Sequence, residues 1–171
     1  MPQKKPAAAP KKPVKRPVKT AAASPATATV GRLIDVSAQR APAATLGRRS
    51  PQLAQGRPFL LLVYSEHCPH CTNMMPAWGD VVPKARNAGL DVVQVETGAL
   101  QRCAPGESVI ADAVRADPMF MGVPYIAMAD PMTGGAFAHH DGERSGPALV
   151  SFIQRATRAF ADKRQRQRPV R

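Results

Sequence analysis

The run Phe59-Leu60-Leu61-Leu62-Val63-Tyr64 constrains this chain more than any other segment. Six apolar residues without a polar break fit a central strand buried on both faces, and the run is far too short to span a bilayer, which takes about 20 residues. Two cysteines follow at once, in Cys68-Pro69-His70-Cys71, at the start of a segment, 69–87, predicted to be a helix interrupted at Pro76. Gly89 then stops the helix ahead of a second strand over Leu90–Glu96. Helical spacing of Val109, Ile110, Ala113 and Val114 predicts a helix over 106–116. Strands are expected at Tyr125–Met128 and Ala136–His140, separated by the turn-rich stretch 130–135. A closing helix, Gly146–Ala161, carries Leu149, Phe152, Ile153, Ala156 and Phe160 on one face. Val30–Val36 fits a short first strand, and 51–56 a short helix or turn ended by Gly56. Strand, helix, strand, helix, hairpin, helix describes an α/β sandwich.

Charge divides the 171 residues into three parts. Residues 1–49 hold 11 Lys/Arg and one acid, Asp35; residues 50–154 hold 6 basic and 10 acidic residues; residues 155–171 hold 7 basic residues and Asp162. The balances, +10, −4 and +6, sum to +12, so the high pI belongs to the ends and the body is mildly acidic. The organisation read from this is a basic Pro/Lys/Ala-rich tail over 1–29, a linker over 30–50 holding the first strand, a folded domain over 51–161, and a basic, fraying C-terminal tail over 162–171. The first tail has no acid and no aromatic residue and cannot bury enough apolar surface to offset its ordering entropy. It suits three uses: a solubility tail, phosphate neutralisation on nucleic acid, or docking on acidic protein surfaces. Base stacking is not supported, since no aromatic interleaves the lysines.

No apolar h-region stands near the start, and six prolines before residue 26 would break an amphipathic presequence helix. The expected compartment is therefore the reducing cytoplasm, where three cysteines do not suggest a structural disulfide framework. C-x-x-C after a buried strand and at a helix start points to redox chemistry. The first cysteine would cap the helix, where unpaired N–H groups and the macrodipole favour a thiolate; the second, one turn on, would attack a mixed disulfide. Cys68 is then the nucleophile and Cys71 the resolving thiol. His67 and His70 can add positive charge or hydrogen bonds to the Cys68 thiolate, lowering its pKa and making the disulfide more oxidising. A zinc half-site with one of the histidines, or inert thiols, are the alternatives; structural zinc takes four ligands, and no second C-x-x-C is present. Cys103 reads as a buried or loop thiol, its odd number leaving intermolecular pairing open. Met74, Met75, Met119 and Met121 flank the two halves of the site, as an adaptable peptide-binding surface or as core packing. His139 and His140 are expected on an edge strand, with no role assigned.

Over roughly residues 52–160 the chain resembles the thioredoxin superfamily. Pro76, five residues after Cys71, stands where thioredoxins kink the active-site helix, and Gly122-Val123-Pro124 is similar to their Gly-Ile-Pro segment. Gly134-Gly135 fits the last hairpin turn, and Gly142 the glycine before the last helix. Cys-Pro-His-Cys itself is similar to the oxidising, DsbA-type branch. The resemblance implies a thioredoxin-like three-layer α/β sandwich with a central mixed sheet, plus the basic N- and C-terminal tails. It implies a cis Pro124 facing the dithiol, and a Val123–Pro124 edge that pairs with the substrate backbone and keeps metal off the thiols. Catalytic roles fall on Cys68, Cys71, His70 and Pro124, and substrate contacts on Val123, His67 and Pro69, with no cofactor and no metal. Two positions depart from the pattern: His67 replaces the tryptophan before the first cysteine, and Leu62 replaces the buried acid six residues before it, with Glu66 as a substitute nearer the strand end.

The expected function is thiol–disulfide exchange on protein cysteines. The alternative is a structural component of a large assembly, such as a minor capsid or internal virion protein of a large DNA virus, using the thioredoxin-like body and basic tails to bind partners or nucleic acid. In that case the location is the virion.

Overall fold

A computed structural model describes residues 31–36 and 56–166. The expectations for the N-terminal tail, most of the linker and residues 167–171 lie outside the described residues. Nine elements follow one another: β1 (Leu33–Val36), β2 (Phe59–Tyr64), α1 (Pro69–Asn87), β3 (Asp91–Glu96), α2 (Thr97–Arg102), α3 (Val109–Ala116), β4 (Tyr125–Ala129), β5 (Ala136–His139) and α4 (Gly146–Arg166). The sheet runs β1-β3-β2-β4-β5. The first three strands are parallel, β4 lies antiparallel to β2, and β5 antiparallel to β4. This mixed sheet between helical layers is a thioredoxin-like fold.

The apolar run at 59–64 is explained by its place. β2 lies between β3 and β4, and alternate side chains enter different cores. Leu60, Leu62 and Tyr64 pack with Trp78 and Val81 of α1 and with Leu149 and Phe152 of α4. Phe59, Leu61 and Val63 pack on the other face with Leu100 of α2 and with Ile110 and Val114 of α3. Leu62 is fully buried, so apolar packing fills the place where the resemblance implies a buried acid.

α1 runs unbroken through Pro76 and also through Pro83, where an interruption at Pro76 was expected. Each proline lacks the N–H that would bond the carbonyl four residues back, at Thr72 and Gly79. All four residues are exposed and lie on one stripe of the helix, so the lost bonds face water. The opposite face, carrying Cys71, Met74, Trp78 and Val82, is buried and holds the helix to the sheet. Gly89 ends the helix as expected: at φ +80° its N–H reaches the Arg86 carbonyl at 2.9 Å, and the Leu90 N–H reaches that of Ala85 at 3.1 Å. β1 docks nearby through Gly31, where a Cβ would meet the Leu90 carbonyl oxygen at 1.7 Å.

The other three helices also differ from expectation. α3 begins at Val109, because the Ser108 hydroxyl accepts from the Ala111 N–H at 3.2 Å and fixes the start there. α2 was not expected; buried Glu96 caps it, accepting from the Gly98 N–H at 2.6 Å. α4 continues five residues past Ala161, to Arg166, with Lys163, Arg164 and Arg166 in its last turn, where cations complement the helix dipole. No helix among the described residues is long and apolar enough to cross a membrane.

Candidate active site

β2 ends at Tyr64, and a turn at Ser65–His67 returns the backbone toward α1. The Cys68 N–H reaches the Ser65 carbonyl at 3.1 Å, and the His67 N–H reaches the Ser65 hydroxyl at 3.2 Å. Cys68 occupies the N-cap of α1 with extended backbone angles (φ −92°, ψ 114°), and Pro69 takes the first helical turn, where a missing N–H costs nothing. The Cys68 sulfur therefore sits over the helix's free N–H groups.

Cys68 and Cys71 differ sharply in surroundings. Cys68 is half-buried, Cys71 is 1% exposed, and both are free thiols. Hydrogen bonds from the Cys71 backbone N–H and thiol are the main cause holding Cys68 below the ordinary thiol range; the His70 N–H and the Arg144 guanidinium add to it against partial desolvation. Burial pushes Cys71 upward, and the neighbouring Cys68 sulfur adds to the rise. The two thiols are thus split, with the outer one ionising first.

On the other side, the Val123–Pro124 peptide bond is cis, as the resemblance implies, and the Cys68 thiol donates to the Val123 carbonyl at 3.5 Å. The structure therefore brings Cys68, Cys71, Val123 and Pro124 to one place, although 52 positions separate Cys71 from Val123 in the chain. Pro69, His70 and His67 are exposed around the dithiol. His70 lines a shallow cavity with Asn73, Glu143 and Arg144. Beside Val123 and Pro124 an open groove of about 270 Å³ is walled by Met119, Met121, His139 and Arg144. Met121 is 90% exposed and Met119 54%, whereas Met74 lies in the core, so the four methionines divide between surface and packing.

Arg144 was missed in the sequence. It lies in the β5–α4 loop, lines both cavities, and is the cation that acts on both sulfurs. Only its place two residues after Gly142 could have drawn attention to it. Arg144→Gln is expected to raise the pKa of both thiols and so lower the Cys68 thiolate fraction at neutral pH. Ultraviolet thiolate absorbance against pH, in wild type and variant, measures this; coincident curves would contradict it.

A carboxylate cluster lies at the carboxyl ends of the parallel strands. Burial, then the charge of Glu66, raises the Asp35 pKa, and Tyr64 is pushed up to about 12 by burial and by Asp35, Glu66 and Glu96. Glu66 itself is exposed. Opposite Leu62 on β3 stands Gln94, a buried carboxamide that accepts from the Trp78 indole N–H and donates to Asp35 at 3.5 Å. Cys103 is 4% exposed among Leu100, Ile110 and Ala99, as a core thiol. Among the described residues no group of three or more His, Cys, Asp or Glu is placed to hold a metal ion.

No family model matches the sequence, and no curated protein matches it either. Among solved structures, the chain is similar to the J-Trx1 fragment of ERdj5 at 20% identity and a TM-score of 0.49, over 74% of this chain and 52% of that one. It is also similar to the first thioredoxin domain of mouse protein disulfide-isomerase A4 at 19% identity and a TM-score of 0.45, over 61% of this chain and 66% of that one. For spinach chloroplast thioredoxin f the identity is 14% and the TM-score 0.42, over 78% and 97% of the two chains. The chain thus spans about half of the ERdj5 fragment, at 52%.

Proposed function

We propose that this protein is a thiol–disulfide oxidoreductase acting on protein cysteines, with Cys68 as nucleophile and Cys71 as resolving thiol. The observation that carries the reading is the split pair: a half-exposed Cys68 with a lowered pKa beside a buried Cys71 with a raised one, under the carbonyl that precedes a cis proline.

In the reductive direction the Cys68 thiolate attacks one sulfur of a substrate disulfide. A Cys68–substrate bond forms, the substrate S–S bond breaks, and one substrate thiolate leaves. Cys71 then gives up its proton and attacks the Cys68 sulfur. The Cys68–Cys71 disulfide forms, the second substrate sulfur departs, and the proton ends on a departing thiolate. Run backwards, the same steps oxidise a substrate dithiol and return the pair to its reduced form. Because the environment of Cys68 favours the thiolate, it favours the reduced pair and makes the disulfide the stronger oxidant. The half-buried Val123 edge, with exposed Met121 beside it, supports binding of an extended peptide.

Replacing the resolving thiol tests this directly. Cys71→Ser leaves the Cys68 attack intact and removes the escape, so a mixed disulfide with a substrate peptide should accumulate and dissolve on adding dithiothreitol. If Cys71→Ser accumulates no more adduct than Cys68→Ser, exchange at this pair is refuted. The wild-type reduction potential in a glutathione series fixes the direction. It is expected nearer the value of about −120 mV found for a strong oxidant than the value of about −270 mV found for thioredoxin.

A further inference from the structure

Under the cis-proline loop lies a carboxylate that the exchange steps do not use. Asp117 ends α3, and its side chain is 9% exposed. Its Oδ2 accepts from the Tyr125 hydroxyl at 2.7 Å and stands 2.8 Å from His139 Nε2, while Oδ1 accepts from the Met119 N–H at 2.8 Å. Burial alone would raise its pKa; the bonds from His139, Tyr125 and Met119 outweigh that and hold it below the ordinary carboxylate range. An ionised carboxylate only accepts hydrogen bonds, so His139 Nε2 carries a proton. The Asp117 carbonyl also accepts from the Phe120 N–H at 3.0 Å.

These contacts tie together four pieces that are separate in the chain: the end of α3, the loop at 118–124, the first residue of β4 and the last residue of β5. Tyr125 follows the cis proline directly, and its ring lies edge-on to Phe120 (centroids 5.3 Å apart) and to His139 (5.7 Å). Within the loop so bounded sits Val123, whose carbonyl faces the Cys68 thiol. The loop has little regular backbone pairing of its own, the Met121 N–H bonding only to the Met119 carbonyl two residues back.

We propose that Asp117, with Tyr125 and His139 as its donors, is a positioning residue that fixes the Val123–Pro124 edge against Cys68 and so presets the docking site for a peptide substrate. It touches neither sulfur, so it acts on substrate engagement and not on thiol reactivity. The inference rests on the exchange function proposed above, whose readout is separate. Without the clamp, the loop must be ordered at each binding event, and that ordering is subtracted from affinity.

The test compares two substrates on Asp117→Ala and on Tyr125→Phe, which keeps the ring and removes one hydrogen bond. Asp117→Ala should raise the KM for a cysteine-containing peptide disulfide about ten-fold, Tyr125→Phe should raise it less, and kcat should change little. The rate with a small aromatic disulfide, which needs no extended docking edge, and the Cys68 thiolate titration should match wild type in both. Should peptide and small disulfide lose rate together, or should neither change in folded Tyr125→Phe, the positioning role is overturned. A wild-type protein that reacts with neither substrate overturns the exchange reading, and the clamp's role with it.

Discussion

Cys68→Ser is expected to reduce thiol–disulfide turnover to background while leaving the fold intact or slightly more stable. A serine hydroxyl stays protonated at neutral pH and cannot form the mixed disulfide, so no residual route through this position exists. The variant is clean because of where Cys68 sits. It is the N-cap of α1, where its sulfur is only a weak acceptor for the Cys71 and His70 N–H groups. Serine is among the preferred N-cap residues, worth about 1 kcal/mol over a non-capping side chain. Loss of activity therefore cannot be blamed on unfolding if the melting temperature holds or rises. Insulin disulfide reduction and a thermal melt on the same sample decide it, and equal turnover in wild type and variant would end the assignment.

Trp78→Ala is expected to bring the protein close to unfolding. Trp78 is 1% exposed where α1, α4 and the sheet meet, and truncating such a residue costs about 3–5 kcal/mol through lost burial and the cavity left behind. The indole N–H is also the donor to Gln94, and an abandoned buried acceptor adds about 1–3 kcal/mol. Together these approach the whole stability of a typical domain, about 5–15 kcal/mol. Trp78→Phe keeps most of the volume and isolates the Gln94 contribution. Urea unfolding followed by circular dichroism is the suitable measurement, because the chain's single tryptophan is the residue removed and fluorescence would lose its reporter. A midpoint unchanged from wild type would contradict the packing described for α1.

What could be read in the sequence was local. A six-residue apolar run, C-x-x-C directly after it, and Gly-Val-Pro before the next strand each declare themselves within a few positions, and they position β2, α1 and the cis proline. The rest of the site is tertiary. Asp117, Tyr125 and His139 are 8 and 14 residues apart in turn and share no motif; they meet only because β5 pairs back on β4. His139 read alone is an edge-strand histidine, and nothing beside it in the chain names its partner. Arg144 faces the dithiol from a loop 73 positions after Cys71. α2 was hidden because its cap, Glu96, is also the last residue of β3 and reads as strand. Pro76 read as a break because the exposed stripe it shares with Pro83 becomes visible only once the buried face is known.

The extra length of α4 changes what its positive charge means. Arg158, Lys163 and Arg166 are exposed on a helix, and Arg164 is held by the Gly56 carbonyl and the face of Phe160. Charges on a helix advance by about 1.5 Å per residue and keep their spacing. Fixing a free backbone costs about 1–2 kcal/mol per residue, and over 162–166 the fold has already met that cost. The cations at this end of α4 are therefore held at set positions by the helix and turn with the domain as one body.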